Sequence, residues 1–348
     1  MAKNLLIVES PAKAKTINRY LGKDFEVLAS YGHVRDLPSK DGAVDIENDF
    51  SMHYELSEGS KKHVDKIVKA ARKADAVYLA TDLDREGEAI SWHIYEILKG
   101  KKLAEKIPFY RVEFSEITKH AILDAVANPR ELSMDLVNAQ QARRALDHLV
   151  GFTLSPLLWK KIKPGLSAGR VQSPALRMIV EREREIEAFK AQEYWTIEAD
   201  LQKTGHAFTA NLVRLEGERF KQFDIQDENR ATAVRDQLLA HADGQLKADR
   251  IKRRERKRRP APPFITSTLQ PDASRKLRFS AQKTMRTAQT LYEGIEINGN
   301  TEGLITYMRT DSVMLSNDAL ADIRAQITQQ FGADYLPEKP NFYKTKSK

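Results

Sequence analysis

The chain has 348 residues, 41% of them hydrophobic and 30% charged, which is enough apolar material for two or three folded domains. Lys and Arg total 57 against 49 Asp and Glu, a net charge of +8. Cysteine is absent, which excludes disulfides, thiolate catalysis and Cys-ligated zinc in this sequence, and no apolar run reaches the roughly 18 residues of a membrane span.

The N-terminus runs straight into an apolar strand, Leu5 to Val8, with no signal-peptide pattern before it, so the cytoplasm is the expected compartment. Ser10 and Pro11 then read as the N-cap and first turn of a helix reaching Leu21. Phe25 to Ser30 reads as a second strand, and residues 38 to 51 as a polar loop. Val64, Ile67, Val68 and Ala71 predict an amphipathic helix over Lys61 to Ala74. A buried strand at Ala76 to Ala80 and a helix at Glu88 to Leu98 complete an alternation that predicts an α/β layer with a parallel sheet, ending near Asn128-Pro129. Helices are predicted at 134–150 and 174–189, a β-rich segment from 192 to the basic stretch, and helices again at 266–292 and 316–331. Arg250 to Arg259 holds eight cations and one anion, Glu255. Such a cluster suits nucleic acid, through counterion release at phosphates, and equally suits a solvated basic linker.

Carboxylates recur at Asp82, Asp84, Glu86 and Glu88, just past a predicted parallel strand, where such sheets bind ligands. Close carboxylates repel unless a cation neutralises them, and Mg²⁺ needs few protein oxygens. The alternative is an acidic helix start favoured by the helix dipole. Glu9 ends the other buried strand and faces this set if the two strands are neighbours, and Lys13 lies one helical turn on, able to hold a phosphate oxygen. Tyr307 is a weak nucleophile unless its phenol is helped by a cation; Arg309 stands two residues away, with Asp311 available to orient it. Packing alone also accounts for such a tyrosine. The loop Gly165 to Ser173 carries small residues with Ser167, Arg170 and Gln172, and Arg143 and Arg144 precede it on a helix; all can line a strand groove or be merely solvated.

Ile7 to Ile17, Gly32 to Pro38, Thr81 to Glu88, Asn138 to Arg144, Leu166 to Ser173, Pro263 to Leu269 and Ile305 to Ser312 together resemble the bacterial type IA DNA topoisomerase family, in family order. The resemblance implies an α/β Toprim domain over 1–128, a parallel sheet flanked by helices. It also implies mainly helical and β-rich segments of a multidomain core: a helical DNA-binding segment (129–190), a β-rich arch segment (191–263), and a helical segment with the tyrosine (264–348). It assigns proton transfer to Glu9, Mg²⁺ binding to Asp82, Asp84 and Glu86 with Glu9, the nucleophile to Tyr307, and supporting roles to Arg309, Lys13, Asp311 and His33. Ser167, Arg170, Gln172, Arg143 and Arg144 fall on DNA-binding positions. The implied activity is ATP-independent cleavage and rejoining of one DNA strand through a 5′-phosphotyrosine, relaxing negative supercoils. The implied partner is single-stranded DNA within supercoiled duplex, and the implied enzyme is a cytoplasmic, nucleoid-associated monomer.

The chain departs from the family by stopping at Lys348, so the expected toroid is incomplete, and the stretch Glu293 to Glu302 is longer than the usual turn. Two other readings remain at this level: a fragment that binds single strands without completing relaxation, and another Toprim enzyme, which leaves the Tyr307 segment unexplained.

Overall fold

The computed structural model describes residues 4–256 and 258–344; Lys257 of the basic stretch and the two chain ends lie outside the described residues. Two compact units emerge. One combines Met1–Arg170 with Pro260–Lys348, the other is Val171–Arg259, so the predicted segment 129–190 contributes to both.

In the first unit, strands β1 (Asn4–Val8), β2 (Phe25–Ala29), β3 (Ala76–Leu79) and β4 (Phe109–Arg111) form a parallel sheet in the order β2-β1-β3-β4, as the alternation predicts. Both faces are covered, which is why Leu5 to Val8 is an unbroken apolar run. One face packs Leu5, Ile7, Val77 and Leu79 against the helices α2 (Lys61–Ala71) and α3 (Arg85–Gly100), through Val64, Ile67, Ile90 and Ile94. The other packs Leu6 and Val8 against α1 (Pro11–Leu21) and α4 (Lys119–Ala127) through Ile17 and Ile122. Ala288, Tyr292, Tyr307 and Met308 join this second layer. Burial of those four residues is what carries a segment 300 positions away onto the sheet.

Helix α5 (Met134–Lys161) outruns the predicted 134–150, because Pro156 is accommodated inside it. Beyond it, helices α6 (Gln172–Ala188), α7 (Glu228–Ala242), α8 (Thr266–Leu277), α9 (Ala281–Glu293) and α10 (Asn317–Phe331) follow. Helix α7 corrects the β-rich reading of the middle segment. Asp227 caps it, accepting from the Arg230 amide at 2.8 Å, and buried Ala231 and Val234 pack against Ile225. Only two buried positions in a polar sequence gave too weak a period to read. The longer strands of that second unit are β5 (Glu198–Lys203) and β6 (His206–Asn211), an antiparallel hairpin, and a short antiparallel pair, Arg214–Leu215 with Glu218–Arg219, follows. The described part of 250–259 is exposed and without regular structure.

The long turn before Gly303 is itself a hairpin, β7 (Ile295–Ile297) with β8 (Asn300–Glu302). Asn298 and Gly299 make its turn with φ of 50° and 78°, the two positive values that a tight Asn-Gly turn requires. No described helix is long and apolar enough to cross a membrane.

Candidate active site

Because β1 and β3 are neighbours, Glu9 and Asp82 leave the carboxyl ends of adjacent parallel strands. Lys13, one turn into α1, is fully buried between them and pairs with both carboxylates. Both Glu9 oxygens are buried and accept no well-directed hydrogen bond. Burial pushes the Glu9 carboxyl up to about 7, Lys13 opposing and Asp82 adding to the rise. For Lys13, burial pulls the ammonium down, but Glu9, Tyr292 and Asp82 outweigh it and the net shift is upward.

Asp84 is the N-cap of α3, accepting from the Gly87 amide at 3.0 Å. The turn is so tight that a Cβ on Gly87 would sit 2.1 Å from the Asp82 carbonyl oxygen, so only glycine closes it. The Tyr307 hydroxyl donates to the other oxygen of Asp84 at 2.6 Å. Tyr307 is held there by its backbone: its amide donates to Ser115 O at 2.7 Å, and Thr266 Oγ1 donates to Met308 O at 2.7 Å. With 3% of its surface exposed, its phenol is pushed well up, first by burial and then by Asp82 and Asp84, with Arg309 opposing. Arg309 is 62% exposed, its Nη1 4.0 Å from Asp84 Oδ2. Asp311 is exposed and, among the described residues, does not pair with Arg309.

Glu86 does not join Asp82 and Asp84. It lies 3.5 Å from His33 Nε2 and accepts from Gln140 Nε2 at 3.2 Å, on the wall of a cleft of about 310 Å³. That cleft gathers His33, Arg143, Arg144 and Arg170. Two of its cations are locked in two-pronged ion pairs: Arg144 with Asp36 at 2.7 and 2.8 Å, and Arg170 with Asp147 at 2.8 and 3.0 Å. Ser167 lies in the loop before Arg170, while Gln172 opens α6 in the second unit. Among the described residues no three Asp, Glu or His side chains gather as a metal-ligand set.

Arg35 reaches the same cleft. Its Nε donates to buried His93 Nδ1 at 3.1 Å, and its guanidinium lies over Tyr54 and Trp92. Burial, with Arg35 and His33 beside it, pushes His93 down to about 3 from 6.5. Between those values the unfolded chain holds a proton that the folded chain does not, so this residue makes stability fall as pH drops through the window. We expect His93→Gln to flatten the stability profile by about 1.4 kcal/mol per pH unit between pH 6 and 4. Urea unfolding at matched pH measures it, and parallel profiles for the two chains would contradict it.

Two roles were not legible: that of Glu88, read only as one of four recurring carboxylates, and that of Arg111. Glu88 is fully buried and its carboxylate accepts from Arg111 Nε at 2.9 Å, Arg130 Nη2 at 2.7 Å, and the Ser133 amide at 2.7 Å. Arg111, equally buried, donates to the carbonyls of Leu79, Thr81, Asp82 and Val112. It thereby clamps the turn that carries the acidic set. A strand ending in arginine gave no signal of that task.

The parallel sheet with an acidic turn at its carboxyl edge defines a Toprim domain, and residues 4–117 match that family. Residues 131–348 match the family described as DNA topoisomerase, and the chain belongs to the bacterial type IA DNA topoisomerases. It is 61% identical to DNA topoisomerase 1 of Xylella fastidiosa over 349 residues, covering 100% of this chain and 43% of the relative. It is 57% identical to DNA topoisomerase 1 of Rickettsia felis over 346 residues, covering 99% of this chain and 44% of the relative. Full-length topoisomerase I from Thermotoga maritima superposes with a TM-score of 0.78 at 40% identity, covering 96% of this chain and 54% of that one. The chain thus spans less than half the length of the Xylella and Rickettsia relatives.

Proposed function

We propose that this chain carries the strand-cleavage chemistry of a type IA DNA topoisomerase, with Tyr307 as nucleophile. The observation that carries the reading is the Tyr307 hydroxyl hydrogen-bonded at 2.6 Å to Asp84, in the turn whose Asp82 is paired with Lys13. In this reading the phenol oxygen bonds to a backbone phosphorus of a single strand and the bond from phosphorus to the 3′ oxygen breaks. The phenol proton passes to the carboxylate it already faces. Glu9, held up to about 7 and so protonated in part near neutral pH, gives its proton to the departing 3′ oxygen. Lys13 and Arg309 stabilise charge on the phosphate. The reverse steps reseal the strand, and because the phosphotyrosine conserves the bond energy, no ATP is consumed. Passage of a second strand between the two events relaxes negative supercoils.

Mg²⁺ fits the donor set: it needs only one or two carboxylates with waters, and Asp82 and Asp84 leave one turn beside the buried Glu9 carboxylate, whose partner in the structure is Lys13. Bound there, it would supply positive charge that offsets the share of the Tyr307 rise due to Asp82 and Asp84. Glu86 we assign to the rim of this set, through His33. For DNA, we assign the cleft cations Arg143, Arg144 and Arg170, with Ser167, to a single strand; Gln172, in the second unit, is assigned separately as a DNA contact, and the basic stretch to general attraction for phosphate. Asp311 keeps its place beside the nucleophile as a proposal of the resemblance. We assign the four sequence segments to the parts of the family core named above and the protein to the cytoplasm as a monomer.

The test is covalent capture. A labelled single-stranded oligonucleotide with Mg²⁺, denatured after incubation, is expected to leave its 5′ phosphate on the protein, and Tyr307→Phe is expected to leave none. An adduct surviving in the Phe variant rejects Tyr307. Salt-dependent binding with no adduct at any Mg²⁺ concentration instead supports a strand-binding fragment.

A further inference from the structure

We propose that Tyr292 is a positioning residue that holds Tyr307 and Lys13 in a fixed relation for strand cleavage, an inference that rests on the function proposed above. Tyr292 is completely buried in the last turn of α9. Its ring meets the Tyr307 ring edge to face, with centroids 5.4 Å apart and planes at 65°. The Lys13 ammonium lies 4.8 Å from the same centroid. One ring therefore touches both the nucleophile, from the far end of the chain, and the cation that neutralises Glu9 and Asp82.

Both contacts have a physical basis. A ring presents a negative face to a cation, and most strongly where water is excluded, as around Lys13. Edge-to-face packing fixes the tilt of a neighbouring ring, and with it the direction of the phenol oxygen. Phe114 adds a second ring at 5.8 Å from the same ammonium, but it does not contact Tyr307 through a ring pair.

The backbone around Tyr292 cannot drift. The next residue, Glu293, accepts from Ser10 Oγ at 2.8 Å through its side chain and from Thr16 Oγ1 at 3.1 Å through its carbonyl. A Cβ on Gly303 would meet the Tyr292 carbonyl at 2.8 Å, so the chain leading to Tyr307 lies flat against it. The Tyr292 hydroxyl is buried, has no well-directed hydrogen bond, and lies near the charges of Lys13, Asp82 and Glu9. Tyr292→Phe therefore separates the ring contacts from the hydroxyl.

The test compares Tyr292→Phe, Tyr292→Leu and, should the Leu chain not fold, Tyr292→Met. At saturating single-stranded oligonucleotide, the rate of adduct formation is expected to fall roughly ten- to a hundredfold in Leu or Met. Phe is expected to stay within about threefold of the parent, and strand affinity to change by less than about threefold throughout. A second arm needs no cleavage: with lysines labelled at the ε carbon, the Lys13 resonance carries an upfield ring-current shift that Phe keeps and Leu or Met loses. A parent chain that forms no Tyr307 adduct would remove the proposed function and this role with it. A competent parent whose Leu or Met variant cleaves at the parental rate, or leaves the Lys13 resonance unmoved, would overturn the positioning role alone. So would a Phe variant as slow as Leu, which would move the role to the hydroxyl.

Discussion

Glu88→Ala is expected to lower the stability of the first unit by about 3–5 kcal/mol, the range for stripping a counterion from a buried charge. Glu88 and Arg111 are both fully buried, and Glu88 also anchors Arg130 and the N-terminus of α5. Alanine leaves the Arg111 guanidinium without an anion in a closed interior. Folded domains hold only about 5–15 kcal/mol in total, so the variant sits near its unfolding threshold at room temperature. Glu88→Gln keeps the shape and one acceptor, and its loss should be smaller. The effect depends on pH with a definite sign. Burial pushes the Glu88 carboxyl up, but Arg130, Arg111 and the Ser133 amide prevail and hold it below its usual 4.5. Its contribution is thus present above pH 4.5 and lost as pH falls through the folded value, so the Ala deficit should shrink in acid. Urea titration at pH 7 and pH 3 measures both parts. A deficit under about 1 kcal/mol at pH 7 would mean that the network contributes little beyond a surface pair.

Glu88 also shows where reading the sequence stops. In the linear text Asp82, Asp84, Glu86 and Glu88 are four equivalent carboxylates at a spacing of two. That spacing puts side chains on one face only in an extended chain. Here the helix begins at Arg85, and at about 100° per residue two positions differ by about 200°. Glu86 therefore faces the cleft and Glu88 the core, while Asp84 is consumed as the cap between them. The cap itself was hidden, because an acidic residue serves equally as cap and as ligand. By contrast, the sheet, helix α1 and the burial of Leu5 to Val8 were legible because local signals agree: a continuous apolar run, then Ser10 and Pro11. The meeting of Tyr307 with Asp84 is another kind of fact. No local pattern connects residues 223 positions apart; motif order pointed to it, and packing of Tyr292, Tyr307 and Met308 on the sheet explains it. Tyr292 looked like any aromatic on an amphipathic helix. Arg309 was expected near the phenol, and its Nη1 lies 4.0 Å from Asp84 Oδ2, the oxygen that accepts from Tyr307, with most of its side chain in solvent.

Lys13→Met is expected to have the second large effect, on stability and chemistry together. The methionine fills the space of the lysine stem but removes the cation that pairs with Glu9 and Asp82. At pH 8 the loss should be about 3–5 kcal/mol, since two inward-facing carboxylates lose their partner. Glu9 decides how this varies. Its folded value is already raised from 4.5 to about 7 with Lys13 present, and Lys13 is an influence that lowers it. Without Lys13 it climbs further. A carboxyl raised on folding keeps a proton that the unfolded chain has released, so stability falls as pH rises through the interval. The Met deficit should therefore be larger at pH 8 than at pH 5, where a protonated Glu9 needs no cation. Adding Glu9→Gln to Lys13→Met should recover part of the loss at pH 8 and little at pH 5. Equal deficits at the two pH values would show that Glu9 is not the titrating partner. Adduct formation at Tyr307 should drop by about 10²–10³-fold in Lys13→Met, the scale for removing one preorganised charge from a reacting phosphate. With the folded fraction measured alongside by urea unfolding, a drop that merely tracks unfolding would assign Lys13 to structure and leave the phosphate to Arg309.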